Sequence, residues 1–375
     1  MVDVLFKKTA YEDGTFHQAV FDLLDASGGD AIQNGATVLI KPNLLLPAEP
    51  GRGITTHPAV VRAVAEYVVA KGGHAVVSDS PGMGSFKKIL RKGGYLAALE
   101  GLDVALKPFK ETVRVDIGDP FGAIEMAADV FKADVVINAA KLKTHAKMLL
   151  TLGVKNLFGC IVGLRKPEWH LRAGTDADIF ARLLVQIYQT IQPAITLVDG
   201  VLAMEGQGPG RSGTPRELSL LVGSSNAIAA DMAIASVLGL DPSTLSTNRV
   251  AKEMNVSPAA IHIHGDFSIL NDFDFPDIGP LVLGPNFLHR FMRRHVLQRP
   301  VVNNTRCKLC GECWRYCPVK AITHHIKGIK YNYDTCIRCY CCLEICPHGA
   351  IRMKEPLAGK IIRWRDPSSP SSKPK

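Results

Sequence analysis

Short apolar runs alternate with amphipathic stretches along the first 285 residues. Runs of strand length that are apolar almost throughout predict buried strands at residues 36–42, 74–80, 133–140, 194–200 and 218–224. Apolar residues at helical spacing predict helices at residues 57–73, 85–100, 176–191 and 226–239. Continuous apolar strands that alternate with helices are typical of parallel sheets covered on both faces. We therefore predict an α/β domain over residues 1–285, with a largely parallel sheet and helices on both faces.

The pattern changes after residue 285. Residues 286–300 read as a basic amphipathic helix, which we interpret as a linker packed on its neighbours; a helix lying on a membrane surface is the alternative. Residues 301–355 form a compact cysteine-rich unit. The tail over 356–375 ends in a polar stretch rich in Pro and Ser that is predicted to be disordered.

Composition narrows the class of protein. The chain has 375 residues, of which 47% are hydrophobic and 21% are charged, as in ordinary globular proteins. No apolar run approaches the roughly 20 residues that span a bilayer, and the N-terminus lacks the apolar segment of a secretory signal. We therefore expect a cytoplasmic protein without a membrane span. The net charge of +9 favours acidic partners or ligands, but nothing in the sequence indicates a nucleic-acid partner.

The cysteines are concentrated in the C-terminal unit. Cys160 stands alone, and the other nine lie between Cys307 and Cys346. A disulfide framework is typical of small secreted domains, so a long chain without an export signal more plausibly uses clustered thiols to bind metal. The stretches "CKLCGECWRYCP" and "CIRCYCCLEICP" repeat one spacing, C-x2-C-x2-C-x3-C-P, which is the pattern of bacterial ferredoxins.

This spacing predicts two [4Fe–4S] clusters with crossed ligation. Three cysteines in one tight loop hold three corners of a cluster, and the fourth ligates the other cluster. The predicted ligands are Cys307, Cys310, Cys313 and Cys346 for cluster one, and Cys336, Cys339, Cys342 and Cys317 for cluster two. Zinc is the alternative, but zinc sites require neither the third cysteine nor the Cys-Pro pair. Cys341 is extra to the pattern and is expected to be a free thiol beside cluster two. The unit resembles two-cluster bacterial ferredoxins along its whole length.

The cysteine-rich unit is basic, whereas many ferredoxins are acidic. Residues 305–354 hold nine Lys and Arg against three acids. We expect an electron donor or acceptor protein as a partner, with an acidic surface that this basic rim attracts. The alternative is that these charges only offset the anionic clusters.

Polar residues gather where the predicted strands of the α/β domain end. Ligands of open parallel sheets bind beyond the carboxyl ends of the strands. The residues that we expect to bind an anionic small molecule there are Lys41, Asn43, Lys141, Lys143, Lys155 and Asn156. Lys141 and Lys143 would point to the same side of a strand and share one anion. The alternative is that each lysine is a solvated surface residue.

Two histidines follow in the same region, and both are candidate catalytic residues. An unperturbed imidazole titrates near neutral pH, so His145 or His170 is predicted to donate a proton; the alternative is a surface histidine that makes an ordinary hydrogen bond. The glycines of "EGQGPGRSG" precede a strand rather than a helix, which excludes a dinucleotide-binding fingerprint. Asp231 lies in an apolar helix and needs a partner, either a cap or lysine contact or a functional one.

Several stretches together identify a family. "VLIKPNLLLP", "KLKTHAKMLLTLGVKNLFG", "KPEWH" and "VDGVLAMEGQGPGRSGTPRELSLLVGSSNAIAADMAIA" resemble the uncharacterised family called domain of unknown function 362. Its members are often described as iron–sulfur centre proteins, and many carry a C-terminal ferredoxin module. The resemblance covers roughly residues 35–240 and 305–350. It implies a fold and a redox association but no substrate or reaction.

These observations lead to two hypotheses about function. The first is a ferredoxin-linked oxidoreductase that passes electrons from the clusters to an anionic substrate or cofactor in a lysine-lined crevice. The second is a non-catalytic electron carrier or assembly factor whose α/β domain binds a partner protein. A closed pocket beside a cluster favours the enzyme, and an open basic face favours the carrier.

Overall fold

The computed structural model describes residues 1–163, 165–174, 176–276, 295–326 and 328–358. Within these ranges the strands are β1 (Val2–Lys8), β2 (Thr37–Pro42), β3 (His74–Val77), β4 (Val104–Leu106), β5 (Thr112–Asp116), β6 (Ala123–Ala127), β7 (Val135–His145), β8 (Leu149–Thr151), β9 (Ile195–Gly206), β10 (Gly213–Ser224), β11 (Ile261–Gly265), β12 (Arg299–Val302), β13 (Ile322–His325), β14 (Gly328–Tyr331) and β15 (Ile351–Lys354). The α-helices are α1 (Phe16–Ala26), α2 (Pro58–Ala70), α3 (Phe86–Lys92), α4 (Tyr95–Ala98), α5 (Ala128–Lys132), α6 (Gly153–Asn156), α7 (Arg165–Ala173), α8 (Ala177–Ile191), α9 (Ala227–Val237), α10 (Ser246–Glu253), α11 (Glu312–Arg315) and α12 (Cys341–Glu344).

A nine-stranded sheet organises the α/β domain. Its order is β11-β1-β10-β9-β7-β2-β3-β4, and β8 pairs with the far end of β7. The run from β9 to β4 is parallel at every pairing, and β11 is parallel to β1. β10 returns from β9 as a hairpin and is therefore antiparallel to it. β10 is also antiparallel to β1, its other neighbour. The predicted α/β fold with a largely parallel sheet is confirmed.

Helices cover both faces of the sheet, and strand alternation explains why. Val38 and Ile40 pack into a core with α1 and α2, whereas Leu39 between them packs into a second core with α8. Successive residues of a strand point to opposite faces, so apolar residues at every position require two cores. The predicted helix at 85–100 is two short helices, α3 and α4, because Gly93 and Gly94 separate them.

The central strand β7 is longer than the sequence pattern suggests. The sequence pattern predicts a strand over 133–140 and a loop after it, but in the structure the strand continues to His145. The extra residues remain paired because Lys143 lies opposite Thr151 of β8 and opposite Met204 of β9. The register with β9 shifts between Lys141 and Lys143. The lysines of this stretch are therefore held rigidly in a sheet instead of a flexible loop.

The cysteine-rich unit folds around its own small core. β12 pairs with β15 and β13 pairs with β14, both antiparallel. Along the chain, α11 lies between β12 and β13, and α12 lies between β14 and β15. The predicted linker helix lies mostly outside the described residues, and its last two positions belong to β12. The end of the tail also lies outside them.

The glycine-rich run forms the β9–β10 hairpin and lies against the cysteine-rich unit. A Cβ atom on Gly210 would lie 2.6 Å from the carbonyl oxygen of Glu344, and one on Gly208 would lie 2.3 Å from that of Thr144. Gly210 thus permits a close backbone approach between the two units, and Gly208 permits one to β7 within the α/β domain. Since no helix follows the run, the exclusion of a dinucleotide fingerprint is confirmed.

Candidate functional site

The two cysteine runs adopt the same backbone path. Positive φ angles recur at three equivalent positions, in the pairs Leu309 and Arg338, Gly311 and Tyr340, and Lys320 and Gly349. The second pair directly precedes the short helices α11 and α12, which carry the third cysteine of each run. Left-handed residues let a short loop turn sharply enough to bring spaced side chains together. The local sequence repeat is thus a local structural repeat.

Each set of predicted ligands lines its own cavity. One cavity is lined by Cys307, Cys310, Cys313 and Cys346, and the other by Cys317, Cys336, Cys339 and Cys342. The fourth cysteine of each run thus joins the cavity of the other run, as the crossed pattern requires. The cavities are of similar size, about 320 and 330 Å³ with the space open to solvent included. All these cysteines are free of disulfides.

Backbone donors already face the sulfur atoms. The amide of Ala321 donates to Cys317 Sγ and the amide of Ala350 donates to Cys346 Sγ, each at 3.3 Å. Hydrogen bonds to sulfur are one of the means by which proteins hold and tune iron–sulfur clusters. The cavities, the cysteine sets and these donors together fit [4Fe–4S] groups.

A crevice lies between the α/β domain and the cysteine-rich unit. It encloses about 820 Å³, including space open to solvent. Its α/β wall is formed by the ends of β2 and β7 and by the segment from α6 to α7 and contributes Lys41, Asn43, Asp79, Lys143, Lys155, Asn156, Phe158, Lys166 and His170. Its other wall contributes Tyr316, Cys341, Glu344 and Ile345. Cys341 also lines the second cysteine cavity, so that cavity adjoins the crevice.

Two of the four predicted anion-binding lysines, Lys143 and Lys155, have no carboxylate partner among the described residues. Lys143 is fully buried, and its ammonium donates to Asn43 Oδ1 at 2.8 Å and to the carbonyl of Ile54 at 2.5 Å. The Lys155 ammonium has neither an ion-pair nor a hydrogen-bond partner among the described residues. Burial lowers the pKa of Lys155 and lowers that of Lys143 strongly. The Lys155 ammonium lowers the pKa of Lys143 further, whereas the Glu344 carboxylate raises the pKa of both lysines. An anion in the crevice would relieve this unfavourable potential.

Asn43 and Asn156 hold this arrangement in place. The side chain of Asn43 donates to Asn156 Oδ1 at 2.9 Å while its own oxygen accepts from Lys143. Asn156 in turn donates to Asn138 Oδ1 at 2.8 Å. The α6 helix that carries Lys155 is fixed by Asp231, which accepts hydrogen bonds from the first two amides of the helix. Asp231 therefore makes the predicted capping contact.

The remaining two lysines are neutralised within the protein. Lys41 lines the crevice but lies 2.9 Å from Asp79. Lys141 lies outside the crevice lining, 2.7 Å from Asp199 and 3.2 Å from Tyr11 Oη. The expectation that Lys141 and Lys143 share one anion is therefore corrected, because a buried carboxylate already occupies the Lys141 ammonium.

The two predicted catalytic histidines have different surroundings. His170 is buried in the crevice lining, stacked on Phe180 with ring centroids 4.3 Å apart. Its Nδ1 has no hydrogen-bond partner among the described residues. Burial lowers the pKa of His170 to about 3, so the ring is neutral at pH 7. An unpartnered buried nitrogen is available to a ligand.

His145 joins the two units instead. Its Nδ1 accepts from the amides of Lys147 and Met148, and its Nε2 lies 2.7 Å from Glu344 Oε1. Burial lowers the pKa of His145 to about 4, so the ring is neutral and its Nε2 proton faces the carboxylate. No ring nitrogen is left for a substrate. The predicted role as proton donor is therefore retained only for His170.

The sequence did not assign several other residues to the crevice. Glu344 and Tyr316 belong to the cysteine-rich unit, and only docking against the α/β domain brings them to the crevice. Lys166 was visible as one more basic residue, but its ammonium is held by the carbonyl oxygen of Ser80. Cys341 stood out as an extra cysteine, and its position between two cavities depends on the same docking.

Comparison with known proteins agrees with this architecture. Residues 38–236 match the family described as domain of unknown function DUF362. A thylakoid-associated protein of Synechocystis sp. is 37% identical over 303 residues, which are 77% of this chain and 94% of that protein. This chain belongs to the DUF362 family. The DUF362 match contains the lysine-lined wall of the crevice, so this wall lies within the family domain.

The C-terminal unit of this DUF362 protein matches a second family. Residues 299–347 match the family described as a 4Fe-4S dicluster domain. The delta subunit of NADH-dependent phenylglyoxylate dehydrogenase from Aromatoleum evansii is 41% identical over 54 residues, which are 14% of this chain and 58% of that subunit. Pyruvate synthase subunit PorD of Thermotoga maritima is 39% identical over 61 residues, 16% of this chain and 60% of that subunit. The C-terminal unit is an iron–sulfur electron-transfer domain.

One solved structure has a distantly similar shape. The lactate racemase apoprotein from Thermoanaerobacterium thermosaccharolyticum gives a TM-score of 0.44 at 12% identity, over 64% of this chain and 57% of that one. So distant a likeness does not extend to function. None of the described helices is both long enough and apolar enough to cross a membrane.

Proposed function

We propose that this DUF362 protein is an oxidoreductase that uses two [4Fe–4S] clusters to reduce an anionic organic substrate or cofactor bound in the crevice. The observation that carries the proposal is the position of Cys341, whose side chain lines both the second cysteine cavity and the crevice. A ligand in the crevice would be separated from that cavity by little more than this residue. When bound, the clusters supply one-electron transfer.

The proposed cluster ligands are the two sets that line the cavities. Cluster one is held by Cys307, Cys310, Cys313 and Cys346, and cluster two by Cys317, Cys336, Cys339 and Cys342. Replacing Cys317 by Ala should remove roughly half of the iron and disturb the spectrum of cluster two, because Cys317 belongs to the second cavity. If Cys317→Ala disturbs only the signal of the cluster enclosed by its own run, the crossed assignment is wrong.

The anion is proposed to bind between Lys155 and Lys143. Both ammonium groups lack a carboxylate, and Lys143 is aimed by Asn43 and the Ile54 carbonyl. Charge-assisted hydrogen bonds from such groups are about twice as strong as neutral ones. Carboxylate and phosphate both satisfy this geometry, so the substrate is assigned only to the class of organic acids and phosphate esters.

His170 is the proposed proton donor. His170 lines the crevice, and a bound anion would raise its low pKa because opposite charge favours the protonated ring. His145 instead positions the iron–sulfur domain through Glu344. Reduction of an organic acid consumes protons together with electrons, so a donor on the crevice wall suits this chemistry.

The redox partner is proposed to dock at the other cavity. Cys310 is exposed there, beside Leu309 and the exposed basic side chains of Arg306, Lys308 and Arg315. Positive charge around an exposed site attracts an acidic partner and orients it. The cavity of cluster one thus has an exposed cysteine for a redox partner, and the cavity of cluster two adjoins the crevice. Cytoplasmic localisation stays a prediction, since one relative is thylakoid-associated.

A second candidate function is a non-catalytic electron carrier. The observation that favours it is the likeness of the iron–sulfur domain to subunits of larger dehydrogenases and synthases. In that case the α/β domain recognises another protein, and the crevice lysines meet its acidic residues.

Anaerobic reduction separates the two functions. The chain is reduced with dithionite, freed of excess reductant and mixed with libraries of small carboxylates and phosphate esters, while cluster reoxidation is followed optically. Turnover of at least one compound, slowed in Lys155→Ala but not in the exposed control Lys252→Ala, supports the enzyme. Mass spectrometry of molecules that co-purify with the protein narrows the library. Reoxidation by acidic carrier proteins and by none of the small molecules overturns the enzyme in favour of the carrier.

A further inference from the structure

Three potential metal ligands meet at the edge of the sheet, and none of them lines a cysteine cavity or the crevice. β11 is the outermost strand and runs parallel to β1, with His262 opposite Asp3. His262 and His264 are two residues apart on one strand, so their side chains lie on the same face. One donor atom from each of these three residues lies within 4.8 Å of the other two.

The distances suit a single small cation. Asp3 Oδ1 lies 2.9 Å from His264 Nε2 and 3.8 Å from His262 Nδ1. An ion bound at about 2.0–2.2 Å by imidazole nitrogen and carboxylate oxygen holds neighbouring donor atoms roughly 3 to 3.5 Å apart. The observed separations lie on either side of that range. Small side-chain rotations would therefore place all three atoms around one ion.

The donor set indicates the kind of metal. Two imidazoles with one carboxylate suit zinc and its first-row neighbours, whereas calcium and magnesium require a shell of oxygen atoms. The side chains of Asp3, His262 and His264 are 64%, 51% and 54% exposed, which leaves room for water in the remaining positions. Among the described residues Asp3 has no lysine or arginine partner, so its charge is available to a cation. We propose that Asp3, His262 and His264 bind one divalent transition-metal ion of the zinc class.

Such an ion would hold together distant parts of the chain. Asp3 and His264 are 261 residues apart in the chain, and among the described strands β11 pairs with β1 alone. A link that closes a long loop restricts the unfolded chain, and any ion that binds only the folded state stabilises it. The site would therefore secure an edge strand that has one neighbouring strand within the part of the chain that the structure describes.

Zinc titration of the full-length, cluster-loaded protein tests this proposal. The protein is kept anaerobic and freed of loose metal, and ZnCl₂ is added in a calorimeter while iron content is measured before and after. We expect one zinc ion to bind per chain without loss of iron, and the unfolding midpoint to rise. MgCl₂ should produce neither effect.

Matched variants locate the site. His264→Ala and Asp3→Asn should each weaken zinc binding by at least about tenfold, since even residues that only support a metal ligand contribute about 10–100-fold. The control is His74→Ala, which removes an equally exposed histidine from β3. The ligand side chains are exposed, so folding without zinc should be unchanged. If His264→Ala binds zinc as tightly as the parent, or if zinc uptake occurs only as iron is released, the proposal fails.

Discussion

Lys141 and Lys143 lie two residues apart on one buried strand but have opposite surroundings. Within the described residues, the ammonium of Lys141 contacts the carboxylate of Asp199, whereas that of Lys143 contacts only neutral oxygen atoms. Burial lowers the pKa of both groups, and it lowers that of Lys143 strongly. A buried charge with a partner is part of the folded structure, whereas one without a partner creates a potential that a ligand can satisfy. The comparison therefore separates a structural lysine from a proposed binding lysine.

The largest expected effect comes from disrupting the ion pair between Lys141 and Asp199. Lys141→Met leaves Asp199 buried without a cation, which should lower the free energy of unfolding by about 3–5 kcal/mol. Urea unfolding under anaerobic conditions measures this loss. Adding Asp199→Asn should recover part of it, because Asn removes the charge and its single side-chain oxygen can still accept from the His57 amide. A loss below about 1 kcal/mol in Lys141→Met would show that the pair is not structural.

Substitutions of Lys143 and Lys155, which lack a carboxylate partner among the described residues, should affect anion binding more than folding. Lys155→Ala should weaken binding of inorganic phosphate by roughly tenfold to a hundredfold, since a charge-assisted contact contributes about 1.5–3 kcal/mol. Lys143→Ala should act similarly, and the double variant should lose less than the two losses combined because both lysines act on one anion. Calorimetry measures binding, with exposed Lys252→Ala as the control. Unchanged phosphate affinity together with clear destabilisation would assign these lysines to the fold.

The smallest expected effect is a dependence of stability on pH. Lys143 has a folded pKa below its ordinary value of 10.5, so between these two values the unfolded chain binds more protons than the folded one. Stability should therefore rise with pH in that window, by at most about 1.4 kcal/mol per pH unit for this proton. Phosphate binding should fall over the same window as the ammonium is lost.

Lys143→Met isolates this contribution, because other buried lysines titrate in the same direction. The pH dependence of unfolding in the variant should be shallower than that in the parent. Equal slopes in the two proteins would mean that Lys143 remains charged in the folded state and has a partner.

Local patterns predicted most of the architecture. The apolar strands and amphipathic helices predicted the α/β sheet, and the repeated cysteine spacing predicted the ligand sets that line the two cavities. Both signals depend on residues close together in sequence or on the period of one element. The predicted boundaries at 285 and 301 stay predictions.

The crevice was predicted less completely. The ends of strands supplied Lys41, Lys143 and the two asparagines, but the pattern could not tell that β7 continues to His145. That extension depends on pairing with β8 and β9, which are separate segments of the chain. The sequence pattern of a lysine after an apolar run is the same whether the strand ends there or continues.

The sequence by itself determined the fold class and the cysteine sets because each depends on periodic burial or on the reach of a short loop. Only the tertiary structure decided which lysine is neutralised. Asp199 lies 58 residues beyond Lys141 in the chain, and Glu344 is nearly 200 residues beyond His145. Ion pairs act over a few ångströms, so the charge that a buried lysine presents to a ligand depends on neighbours that folding alone brings within that distance.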